Sequence, residues 1–293
     1  MFYKIKKGEI LVVVSIVFGC MNDVFSKILG RELPSSEIVF FRFLIGALIL
    51  IPFMGKRDYK MLMSGYNMRI NLLRGILGLS SIWLCTYSVI HLKLVEVTIL
   101  LWTIPLFELL FCRLFLNNNV DMRQILSSLI CFVCVGFFST NLSEYSPSSS
   151  HLFVFPLLAA VFFAFQDIII KKTGHNSNND MCMMFSFSAI ACIGALSCCN
   201  NEWILIPSFK ILSCMLGLGI CSQLMQYFLF IAFRSDELTN LASIRYVEFA
   251  IQLFFGFVFF REVPSSRNIA CAIILLLSLG ATKKFERKRY EQT

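Results

Sequence analysis

The second half of this chain repeats the first at a shift of 144 residues, and each copy holds five apolar spans. Asn22-Asp23, Lys27 and Gly30 fall on Gln166-Asp167, Lys171 and Gly174. Phe18 falls on Phe162, Asn118-Asn119-Val120 on Glu262-Val263-Pro264, and Pro105 on Phe249, just after Glu248. An odd number of spans makes the second copy enter the membrane upside down relative to the first. Inverted repeats place a polar site near the bilayer midplane, at the repeat interface, which opens to either side as one half rocks on the other. The expected fold is an all-α integral membrane protein with ten transmembrane helices in an inverted 5+5 repeat, on the plan of a secondary transporter.

Composition points the same way. The chain is 57% hydrophobic and 15% charged, with 31 Phe, which excludes an ordinary soluble domain. A spanning helix needs about 20 mainly apolar residues. Such stretches run over 9–29, 37–54, 69–90, 94–116, 124–140, 152–170, 182–199, 211–232, 241–260 and 267–282. Several are near the short limit, which suits a thin bilayer or packing within a bundle. Residues 1–143 form the first repeat and 151–293 the second. The Ser/Pro-rich stretch 144–150 reads as the linker between them.

Positive residues set the orientation. With the N-terminus inside, the inner segments collect 16 Lys and Arg and the outer loops only 5, so both termini are expected in the cytoplasm. The net charge of +8 then lies mainly on the inner surface, against anionic lipid headgroups. No folded domain presents it to nucleic acid. Lys4, Lys6 and Lys7 before an apolar run imitate a signal peptide, but no small-x-small site follows and Asn22-Asp23 interrupts the run. An uncleaved first span is the expectation.

Twelve cysteines are scattered through the spans, and Cys131 and Cys134 stand in a C-x-x-C spacing with no His nearby. Reduced cysteines acting as small hydrophobes are expected rather than a metal or redox centre. His91, His151 and His175 fall in loops without a nucleophile or carboxylate around them. No catalytic constellation, metal site or cofactor motif is legible, so an enzyme is not expected.

Intramembrane charge is the chemical signal. A charged side chain at mid-membrane costs at least ~2.5–3.5 kcal/mol on insertion scales, so it faces a cavity or a partner. Asp23, Arg42, Glu108, Asp167, Arg245 and Glu248 concentrate in the first, second, fourth, sixth and ninth spans, while 124–140, 182–199 and 211–232 carry none and 267–282 holds only Arg267 at its first position. Arg74, in the third, is nearer a span end. Asp23 with Lys27, and Asp167 with Lys171, stand at i,i+4 on one helix face, as structural ion pairs or as parts of a site. In the ninth span Leu241, Arg245, Glu248 and Gln252 share one face. The 144-residue shift carries Gln252 onto Glu108, so both halves aim a polar group at one place. Arg245 and Glu248 either neutralise each other or belong to a substrate site, and the added polar capacity of Gln252 and Glu108 favours the site. Gln223, Gln226 and Tyr227 suit interhelical hydrogen bonds or ligands equally. Trp102 and Tyr246 are counterparts at the 144 shift and stand beside the polar face. A planar aromatic ligand or an onium ion suits them through stacking and cation–π contacts.

Ten short spans in a 5+5 repeat resemble the drug/metabolite transporter superfamily of EamA type, over the whole chain. Ile104-Pro105-Leu106-Phe107 resembles its S-P-L-F run, and Glu248 followed by Glu262 resembles its E-P-V-F and G-E motifs. Here Phe249 stands for the proline and Asn118 for the first-half glutamate. Asn22-Asp23-Val24-Phe25-Ser26-Lys27, Phe40-Phe41-Arg42-Phe43 and Arg245-Tyr246-Val247-Glu248 are similar to runs in the S-adenosylmethionine transporters of obligate intracellular bacteria. That resemblance implies a multi-pass protein of the bacterial inner membrane taking up S-adenosylmethionine, in exchange for S-adenosylhomocysteine. The substrate's sulfonium and ammonium suit Glu108, Glu248 or the aspartates. Its carboxylate suits Arg245 or Arg42, bidentately, and its adenine Trp102 or Tyr246. An exporter of amino acids, small amines or other metabolites needs nearly the same groups without the adenine stack.

Overall fold

A computed structural model describes residues 7–63, 68–116, 152–173, 180–198, 208–236, 241 and 243–263, with isolated residues between 126–133 and 266–273. Every regular element among the described residues is helical. The helices are α1 (Lys7–Leu29), α2 (Ser35–Leu50), α3 (Lys56–Met63), α4 (Met68–His91), α5 (Leu94–Leu101), α6 (Ile104–Phe115), α7 (Val154–Thr173), α8 (Asp180–Cys198), α9 (Phe209–Ser235) and α10 (Val247–Phe260). Among the described residues, five stretches are long and apolar enough to cross a membrane: Lys7–Leu29, Ser35–Phe53, Arg69–His91, Val154–Lys172 and Phe209–Ser235. The expected spans at 124–140 and 267–282, and the linker 144–150, lie outside the described residues.

Local chemistry sets the helix ends. The Gly30 amide closes the last turn of α1 on the Ser26 carbonyl, and Pro34 precedes α2. Pro52 ends α2 in a 3₁₀ turn over Ile51–Phe53, because its ring lacks the N–H a helix interior requires. The Ser208 hydroxyl caps α9 by accepting from the Ile211 amide. Lys56-Arg57-Asp58 opens the short helix α3, with the Asp58 carboxylate accepting from the Gly55 amide at 2.8 Å.

Two spans expected to be continuous are broken. The fourth divides into α5 and α6 at Trp102-Thr103, where the amides turn back onto the Thr98 and Leu100 carbonyls. Pro105 is the cause: without an N–H it cannot bond the Leu101 carbonyl, and its ring crowds that turn. The ninth span opens with a 3₁₀ turn over Ser243–Tyr246 before α10 begins. Both breaks lie beside the charged residues.

The helices pack in matching sets. α1 lies on α9 and α4 on α7, α2 on α9 and α4 on α8, and α1 on α10 and α7 on α6. Hydrogen bonds repeat the pattern: the Lys27 ammonium donates to the Leu92 carbonyl at 3.0 Å and that of Lys171 to the Asp236 carbonyl at 2.7 Å. Residues 92 and 236 are themselves 144 apart. Gly219 and Gly75, also 144 apart, are points of close approach, where an added Cβ would strike Ile45 and Ile190. Small residues substitute for a hydrophobic drive between helices in lipid.

This packing generates a stability prediction. Gly219→Val forces α9 away from α2 at a cost of ~1–3 kcal/mol for overpacking, so the detergent-solubilised protein should melt several degrees lower. Leu216→Ala, on an outward-facing position of the same helix, should leave the melting temperature unchanged. Equal melting of the two variants would contradict this packing.

Candidate functional site

A chamber of about 120 Å³ lies where α1, α2, α4, α7, α9 and the broken spans meet. Asp23, Arg42, Asp167, Arg245 and Glu248 line it, so five of the nine residues expected at a site converge there. Their side chains come from four helices and the 3₁₀ turn, and from both halves of the chain.

Arg245 is the hub. Its guanidinium bonds the Asp167 carboxylate at 2.5 Å and stands 3.2 Å from an oxygen of Glu108. Glu108 is fully buried and does not line the chamber; it supports Arg245 from behind. The 3₁₀ turn explains this choice of partners. Because Arg245 precedes α10, it does not share one continuous face with Glu248 and Gln252 as a straight helix would give. Arg245 reaches across to α6 and α7, Glu248 faces the chamber, and the Gln252 amide donates to Asp23 at 2.9 Å. Each aspartate thus meets the residue that the 144 shift pairs with the other's neighbour, Gln252 at Asp23 and Glu108 near Asp167.

Arg42 is held differently. Its Nε donates to the Ser222 hydroxyl at 3.0 Å, which fixes the side chain while the guanidinium borders the chamber. Asp23, Asp167 and Glu248 line the space with Arg42 and Arg245, and Glu108 stands beside Arg245 outside it.

The lysines take other partners than the aspartates one turn away. Lys27 forms its ion pair with Glu262 at 2.5 Å, from α1 to the end of α10, so of the two readings left open for Asp23 and Lys27 the structural ion pair is not the one formed. Lys171 donates to the carbonyls of Phe233 and Asp236, and Asp167 is bound to Arg245. Among the aromatics, Trp102 is buried at the α5–α6 break with its ring 4.4 Å from Phe249, and does not line the chamber. Tyr246 lies in the 3₁₀ turn; its side chain is outside what is described. Gln223 donates to Ser188 at 3.1 Å and Gln226 accepts from Arg74 at 3.1 Å, so both make interhelical hydrogen bonds.

Several residues escaped sequence reasoning. Phe163 lines the chamber one turn before Asp167, as Gly19 does one turn before Asp23; that i,i+4 spacing was the available signal. Ser15, Asn22, Cys85 and Met225 also line it. Arg74, expected near a span end, is fully buried, donating to the Met183 carbonyl at 3.0 Å between the rings of Phe187 and Phe230.

Residues 6–140 match the EamA-like transporter family. The chain is 29% identical to the pseudopaline exporter of Pseudomonas aeruginosa over 96% of this chain and 98% of that one. It is 28% identical to the S-adenosylmethionine uptake transporter of Rickettsia conorii over 94% of each. A solved crystal structure superposes with a TM-score of 0.72 at 14% identity, covering 97% of this chain and 98% of the other, which shows the fold alone.

The charge arrangement separates two variants. Arg245→Met strands two buried carboxylates and should cost ~3–5 kcal/mol, seen as poor membrane yield that Arg245→Met/Asp167→Asn recovers in part. Glu248→Gln breaks no ion pair and should accumulate at the wild-type level. Equal losses of yield by immunoblot would contradict this division.

Proposed function

We propose that this chain, a multi-pass transporter of the drug/metabolite superfamily rather than an enzyme, moves S-adenosylmethionine across the bacterial inner membrane by alternating access, in exchange for S-adenosylhomocysteine. The observation that carries the reading is the division of labour among the chamber's charges. Arg245 is committed to Asp167 and Glu108, whereas Glu248 borders the space outside any ion pair among the described residues. A cationic centre on the substrate completes that surface. S-adenosylmethionine supplies such a centre, with one net positive charge from sulfonium, ammonium and carboxylate.

The substrate groups then distribute themselves. The sulfonium and ammonium meet Glu248 and Asp23. The carboxylate goes to the fork of Arg42, which Ser222 holds through Nε, since planar guanidinium matches carboxylate geometry. Adenine stacks on Phe163, the aromatic ring in the lining among the described residues, rather than on Trp102. A chamber of about 120 Å³ is below the roughly 300–1,000 Å³ of small-molecule sites, so the halves must separate to admit a nucleoside.

The inverted repeat, with units 1–143 and 151–293 joined by 144–150 and both termini cytoplasmic, supplies that movement. Its support is the matched packing of α1 on α9 with α7 on α4, and the matched carbonyl bonds of Lys27 and Lys171. Export of an amino acid, small amine or other metabolite is the second reading, favoured by the exporter relative of equal similarity.

Liposomes containing the purified protein should take up labelled S-adenosylmethionine, with S-adenosylhomocysteine competing and methionine competing poorly. Phe163→Ala should raise half-saturation by roughly fivefold or more, because base–aromatic stacking contributes ~1–3 kcal/mol. Glu248→Gln should reduce uptake at least as strongly. Absence of uptake, with release of preloaded amino acids or amines instead, would move the assignment to the second reading.

A further inference from the structure

The chamber is lopsided. On α1 it extends from Asp23 back through Gly19 and Ile16 to Val12, and on α9 through Met225 to Leu229. These residues lead toward the end of the bundle where Gly8 of α1 lies near Ala232 and Asp236 of α9. The counterparts of Ser15 and Ile16 at the 144 shift are Ala159 and Ala160, which are fully buried and do not line the chamber. In the other direction the space ends at Asp23. One turn beyond stands Lys27.

Lys27 is the centre of a tie between the two halves of the chain. It bonds the Leu92 carbonyl at 3.0 Å and the Glu262 carboxylate at 2.5 Å, with both side chains about 15% exposed. Its ammonium lies over the ring of Phe260, 5.2 Å from the centroid, and Arg31 covers the same ring at 5.8 Å. The backbone is shaped for the contact. Arg261 takes φ 54°, in the left-handed region that a side chain disfavours. That turn folds Glu262 back over α10, so that its amide bonds the Gly256 carbonyl at 3.1 Å. Gly256 also leaves room for the acid, since a Cβ there would stand 3.2 Å from Glu262 Oε2. Strained backbone concentrates where a structure holds a functional contact. The counterpart of Glu262 in the first half is Asn118.

We propose that Lys27 and Glu262 form a latch that closes the chamber on the side away from the α1 N-terminus, and that the cycle requires their ion pair to break. The assignment of that side as the outside rests on the topology proposed above. With the latch made, the chamber is closed outward and drawn out toward the cytoplasm. Separating the halves at the outer end moves α1 from the α10 end and pulls Lys27 from Glu262. Binding of substrate outside is then limited by how often the latch opens. These residues touch no substrate; they set which side it reaches.

Cys85 lines the chamber and reports access. Right-side-out and inside-out vesicles carrying the full chain are treated with a membrane-impermeant maleimide, and modification of Cys85 is measured by mass spectrometry. In the native protein Cys85 should react from the cytoplasmic side and little from outside. Glu262→Gln and Lys27→Met should each raise the outside rate at least about fivefold, the lower end of typical coupling to a conformational equilibrium. The exchanged pair, Lys27→Glu with Glu262→Lys, should bring protection back toward native. Glu262→Asp, which keeps the charge, should fall between and serves if Glu262→Gln does not reach the membrane. Unchanged outside labelling in the single variants, or an exchanged pair as open as either, would overturn the latch. Native labelling confined to the outside, with the variants opening the inside, would keep the latch and refute the topology instead.

Discussion

A guanidinium clasped between two carboxylates inside an apolar bundle is the contact on which the rest of the site depends. Arg245 reaches from the 3₁₀ turn before α10 to Asp167 on α7 and Glu108 on α6. Buried charge is tolerable only when paired, and removing one partner is far more harmful than never having had the pair. The clasp therefore fixes three segments, from both halves, at the chamber wall. It also determines what is left over. With Arg245 and Asp167 bonded to each other, Asp23, Arg42 and Glu248 are the charged groups of the lining that stand outside the clasp. Groups of both signs therefore border the space outside the clasp, which is the basis of the function proposed above.

Much of this was legible in the sequence, because the bilayer makes charge conspicuous. Segregating ionisable residues into a few spans singled out Asp23, Arg42, Glu108, Asp167, Arg245 and Glu248, and all but Glu108 line the chamber. Partner choice was not legible. Helical periodicity reads neighbours on one helix, so it joined Asp23 to Lys27 and Arg245 to Glu248. The folded chain takes Lys27 to Glu262 and Arg245 to Asp167 and Glu108. The helix breaks lay between these cases. Pro105 was visible, yet its consequence, the division of the fourth span at Trp102-Thr103, moves Trp102 off the chamber and onto Phe249. Phe163 passed unnoticed because one phenylalanine among 31 carries no signal until its neighbours are known.

Symmetry and departure from it have different uses in this molecule. Some contacts match at the 144-residue shift, such as the carbonyl bonds of Lys27 and Lys171. The departures carry the chemistry. Gly19 opens space where Phe163 offers a ring, Gln252 is neutral where Glu108 is charged, and Glu262 is an acid where Asn118 is not. A perfectly duplicated protein would present the same wall from both sides. The two halves of this chain therefore offer different walls to the chamber.

Charge movement tests the central claim most directly. S-adenosylmethionine bears one positive charge and S-adenosylhomocysteine is a net-neutral zwitterion, so one-for-one exchange carries one positive charge inward per cycle. A negative-inside potential favours that by ~2.3 kcal/mol per 100 mV. In liposomes preloaded with S-adenosylhomocysteine, a potassium diffusion potential, negative inside, should accelerate uptake of labelled S-adenosylmethionine and raise its final accumulation. Uptake that ignores the potential and follows an imposed pH gradient would contradict an exchange driven by the substrate's own charge.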